Sequence, residues 1–119
     1  MNPSHVMTAA CLADALAALD AAPPGPLLLV SPPQAGASLG PGWWLALVSA
    51  ARAGSGRDFT DLLDCGDASG RALEALRLGL RGLVLAPDAP GRQTVAARAA
   101  LLGAIVLDDA PSPTPAAGP

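Results

Sequence analysis

The sequence predicts an α/β domain built on a small four-stranded parallel sheet with helices on both faces. Short unbroken apolar runs alternate along the chain with segments of helical period, the pattern of buried strands joined by crossover helices. Residues 59–81 and 82–103 repeat one strand–helix unit at about the same length. The composition agrees: of 119 residues, 51% are apolar, mostly alanine and leucine, and 3% are aromatic, which suits helical layers packed on a sheet in one domain.

Residues 8–21 read as an amphipathic helix with Leu12, Ala15, Leu16 and Leu19 on one stripe, capped by Thr8 and stopped by Pro23-Pro24. Leu27–Val30 is the first strand, apolar at every position and so buried on both faces. A Gly/Pro/Ser-rich loop from Ser31 to Gly42 feeds a helix over 41–53, with proline in its first turn and Gly54 at its end. Its inner stripe is Trp44, Leu47, Val48 and Ala51. Phe59–Cys65 is the second strand, and Asp67-Ala68-Ser69 opens a helix carrying Leu73, Leu76 and Leu80. Leu83–Ala86 is the third strand. A turn through Pro87–Pro90 leads to a helix with Val95, Ala99 and Leu102, and Ala104–Asp108 is the fourth strand. The domain covers residues 1–109, and the Pro/Ala-rich residues 110–119 are expected to be a disordered tail.

Two architectures suit this alternation with right-handed crossovers. Strand order 2-1-3-4 resembles the flavodoxin-like layout over residues 27–108 and leaves a place for the N-terminal helix beside the second one, so both faces are covered. Order 1-2-3-4 resembles half of a βα barrel and places the later helices on one face. The leading amphipathic helix favours the first. Receiver domains of response regulators share the layout but need a late-strand lysine and an acidic pair after the first strand. Here there is no lysine, and that strand ends Ser31-Pro32-Pro33.

The missing residue types narrow function. Without lysine there is no Schiff-base chemistry, no pyridoxal-phosphate attachment and no phosphate-loop lysine. With His5 the only histidine, a Ser-His-Asp triad or a multi-imidazole zinc site is disfavoured. A net charge of −3 with no arginine cluster disfavours nucleic acid. No apolar run approaches the ~20 residues of a membrane span, and no basic leader precedes the first apolar stretch. These features lead to the expectation of a cytoplasmic protein. Cys11 and Cys65 show no CxxC spacing and are expected to be buried free thiols.

Three constellations stand out. Asp64 and Asp67, flanking Cys65-Gly66 at a strand end, are the candidate ligands for Mg²⁺ or Mn²⁺; the competing reading is that Asp67 caps the next helix. In the 2-1-3-4 order the loops after the first and third strands diverge. A small ligand is then expected in the crevice against Ser31, Gly36, Ser38, Pro87 and Asp88. Trp43 and Trp44 point about 100° apart on a helix, so one of them looks away from the sheet and is the candidate anchor for an interface. No catalytic residue and no obligatory cofactor emerge. The leading expectation is a non-catalytic interaction or regulatory module that self-associates or binds a protein partner. The alternative is a small carboxylate-dependent enzyme or divalent-metal domain.

Overall fold

Every strand in this protein pairs with its neighbour in sequence. The computed structural model describes residues 3–115. Strands β1 (His5–Thr8), β2 (Leu27–Val30), β3 (Thr60–Asp64), β4 (Gly82–Val84) and β5 (Ile105–Leu107) form one parallel sheet in the order β1-β2-β3-β4-β5. Helices α1 (Leu12–Ala21), α2 (Ala35–Ser38), α3 (Pro41–Ser55), α4 (Ser69–Arg77) and α5 (Arg92–Leu102) connect them.

The α/β class and the parallel sheet are as expected, but the described residues form five strands, not four, and the order is sequential, not 2-1-3-4. The extra strand is β1. Its four residues pair with β2 from His5 opposite Leu27 to Thr8 opposite Val30, and the first helix starts at Leu12 with Cys11, not Thr8, as its cap. A strand at the front supplies the crossover that α1 makes, so α1 joins the helix layer as an ordinary connection.

Successive right-handed crossovers return to the same side of a sheet, so all the long helices share one face. The core shows it. One cluster joins Leu27, Leu29, Leu63, Leu83 and Leu85 of the sheet region to Leu19, Trp44, Val48, Leu76 and Val95 of the helices. The second cluster, Leu28, Val30, Leu62 and Val84, contains strand residues only. Helices on both faces were expected from the 2-1-3-4 order; one helical face is what the sequential order gives. The loop expected over 31–42 contains α2, and α3 runs two residues beyond its predicted end to the glycine cap Gly56, whose φ is 65°.

The residues after β5 do not simply trail away. Thr114 accepts a hydrogen bond from the Val6 N–H at 2.8 Å and its own N–H donates to the Val6 carbonyl at 2.9 Å. The outer edge of β1 is therefore occupied. The end of the expected tail, residues 116–119, lies outside the described residues.

Candidate functional site

The carboxyl ends of β2 and β3 hold the residues the sequence singles out, and their polar groups are engaged with one another. Ser31, buried just past β2, accepts the Asp64 N–H at 2.9 Å and donates to the Pro32 carbonyl at 3.1 Å. Gly36 packs directly on the β3 end: a Cβ there would sit 2.9 Å from the Cys65 Sγ and 3.0 Å from the Asp64 carbonyl oxygen. One Asp64 oxygen accepts the Gly66 N–H at 2.9 Å, closing the turn that Asp-x-Gly sequences favour. Ser31, Gly36 and Asp64 thus come together, in a knot that shapes the loop.

The other predicted site residues lie apart from that knot. Ser38 returns its hydroxyl to the Gln34 carbonyl in the α2 turn. Asp67 is exposed and does not cap α4, whose N-cap is Ala68 without a side-chain bond. Pro87 and Asp88 sit exposed in the β4–α5 turn, and the cap of α5 is Gly91. The expected crevice needs strand order 2-1-3-4; in the sequential order no neighbouring strands send their connections to opposite faces, and the crevice does not form. Among the described residues no group of three His, Cys, Asp or Glu is placed to hold a metal ion. Sequence reasoning missed Gln34, whose φ of 58° makes it the one described non-glycine residue in the left-handed region, with its side chain against Gly66. No local signature marks it.

The cysteines divide. Cys65 is buried; burial first, and the charge of Asp64 second, push its thiol up from 9.0 to about 12, so it is no nucleophile at neutral pH. Cys11, expected to be buried, is exposed and caps α1 through its sulfur. The tryptophans also divide. Trp44 is enclosed in the core with its indole N–H on an Asp61 carboxylate oxygen at 3.2 Å. Trp43, half-buried, packs its ring 5.7 Å from that of Trp44 and against the core, which leaves it a limited surface for a partner.

The far edge of the sheet is different. Ile105 donates to the Arg81 carbonyl and Leu107 accepts from the Leu85 N–H, so both turn their backbone toward β4. In a parallel ladder alternate residues face alternate sides, which turns the N–H and C=O of Val106 outward. Val106 is the counterpart of Val6, but where Val6 meets Thr114 no described residue bonds Val106. Above this strand lies α5, which buries Val95 and Ala99 and gathers Ala96, Ala97 and Ala100 on one side, with Thr94 and Arg98 turned toward α4. Ala96 and Ala100 share the side of α5 turned away from Thr94, Arg98 and Leu102, which face α4, while Ile105, 39% exposed, lies on the helix-free face of the sheet in step with Leu107.

No helix of the described residues is long and apolar enough to cross a membrane. Comparison with protein-family models, with curated proteins and with solved structures finds no match to this chain.

Proposed function

We propose that this protein is a non-catalytic interaction module that self-associates through its α5–β5 edge, forming a two-fold dimer. The carrying observation is the asymmetry of the sheet: the β1 edge is filled by Thr114, while among the described residues the β5 edge is open beneath a helix that turns Ala96 and Ala100 to that side. A two-fold axis normal to the sheet would pair β5 with its copy antiparallel around Val106 and lay α5 antiparallel against its copy.

The spacing suits this arrangement. Adjacent strands are about 4.8 Å apart, and α5 crosses between β4 and β5, so its axis stands slightly inside the edge. Two such helices across the joined edges come to lie about 10 Å apart, within the range for packed helices and closest where the contact side chains are small. Ala96 and Ala100 provide that surface without charge, so two copies meet with no like-charge repulsion at the centre. Three strand residues make few hydrogen bonds, and the stability of the contact rests on the helix pair.

Sedimentation velocity at micromolar concentration tests the reading. A dimer is expected, with Ala100→Glu shifting it to monomer at unchanged thermal stability of the monomer. A strict monomer across the concentration range, or an Ala100→Glu variant that remains dimeric, would remove this interface. The metal-binding alternative has no observation in its favour, since the Asp64 carboxylate already closes its own turn.

A further inference from the structure

A second surface lies on the other side of α5, independent of the dimer edge. Between α4 and α5 runs a trough of about 410 Å³. Leu73, Leu76 and Leu102 form its apolar floor, and Arg77, Arg81 and Arg98 border it. Leu101, one residue from Leu102 and 82% exposed, extends the apolar surface outward.

Two of these arginines, Arg77 and Arg98, behave unlike the rest. Arg52, Arg71 and Arg92 each hold a carboxylate at 3.0 Å or less, and Arg57 is spent on the carbonyls of Leu19, Ala22 and Pro23. Arg77 and Arg98 have no ion-pair partner among the described residues. Arg81 is fixed by donating to the Leu76 and Leu80 carbonyls at 3.1 and 3.0 Å, which anchors its guanidinium at the end of α4. In a chain of net charge −3, three of the seven basic residues thus gather around one leucine-floored groove with no acid to neutralise them.

We infer that this groove binds an acidic amphipathic helix of a partner protein. Two parallel neighbouring helices leave a trough that a third helix fills with an apolar stripe at i, i+3, i+4 and i+7. Leu73, Leu76, Leu101 and Leu102 would receive that stripe. Arg77 on the α4 side and Arg98 on the α5 side stand on opposite banks, so carboxylates flanking the stripe on both sides meet a guanidinium each, in the paired geometry arginine favours. Single-stranded nucleic acid is held largely by base stacking on aromatic rings, and none lines the trough.

Fluorescence anisotropy with the full chain tests this. The probe is a fluorescein-labelled 16-residue helical peptide with leucine at i, i+3, i+4 and i+7 and glutamate on both flanks. The controls are the same peptide with lysine for glutamate, the same peptide with serine for leucine, and a single-stranded 16-mer oligonucleotide. The acidic leucine peptide is expected to bind at least tenfold more tightly than any control. Arg77→Glu/Arg98→Glu should lose that binding and gain affinity for the lysine peptide, a reversal that an unfolded variant would not show. Arg77→Gln/Arg98→Gln should bind neither. Equal binding of the acidic and lysine peptides, no binding of the acidic one, preference for the oligonucleotide, or an unchanged double variant would each overturn the inference. Dimerisation is read separately by sedimentation, so the two proposals fail independently.

Discussion

Cys65 shows how a single position couples chemistry to stability. Its thiol stays protonated in the folded chain to about 12, against 9.0 for an ordinary thiol, because burial and the nearby Asp64 carboxylate both oppose the thiolate. The folded state then holds a proton that the unfolded state gives up. Stability from this group is complete below pH 9 and is lost as pH climbs toward 12, by on the order of a few kcal/mol across the window. The urea midpoint of the wild type should fall steeply over that range, and Cys65→Ala should flatten the slope. Thiol titration of the native protein at pH 8 should count one fast sulfhydryl, Cys11, with the second appearing only in denaturant. The sequence made the burial of Cys65 legible through its place at the end of an apolar strand. It gave no such guide for Cys11, because an exposed cap and a buried helical thiol look alike until the helix start is known.

At the level of elements, α3 is tied to β3 by one carboxylate. Asp61 accepts the Trp44 indole N–H at 3.2 Å on one oxygen and holds Arg52 at 2.8 Å on the other. The two bonds differ in weight: the Arg52 side chain is 43% exposed and such a pair contributes about 1 kcal/mol at most. The indole is fully enclosed, so stranding its N–H costs about 1–3 kcal/mol. Asp61→Ala is therefore expected to destabilise by about 1–4 kcal/mol, and Asp61→Asn, which keeps an acceptor for Trp44, by clearly less. Urea unfolding followed by tryptophan emission measures both, and equal losses would mean that the ion pair dominates. The inward stripe of α3, including Trp44, was readable from its period. β1 was not, because its four residues, His-Val-Met-Thr, are too short to show alternation and become a strand only through register with β2. Strand order was not readable either. Apolar runs announce burial, but the side to which each crossover returns depends on how many strands precede it, and one missed strand changed the layout.

Across the whole molecule the chain joins its two sheet edges. β5 ends at Leu107 on one edge, and Thr114 bonds Val6 on the other. The sheet between them is four strand spacings wide, about 19 Å, while seven extended residues reach about 25 Å at most. Only the short way is open, past the sheet on the side away from the helices, since a detour over the helix layer would need far more chain. That is the side of Leu28, Val30, Leu62 and Val84, all 4% exposed or less although no helix packs there. The same segment that blocks the β1 edge therefore belongs to the cover of this cluster, and its blocking role limits assembly: with one free edge, two copies close on each other, whereas two free edges allow β5 of one copy to pair with β1 of the next without closure. Deleting residues 110–119 is expected to lower the melting temperature, raise binding of an apolar dye, and convert the proposed dimer into concentration-dependent larger species in sedimentation. Thr114→Pro, which removes the N–H donated to Val6, should produce the same shift in weaker form. A deletion variant that remains dimeric with unchanged dye binding would show that the segment neither covers the cluster nor guards the edge.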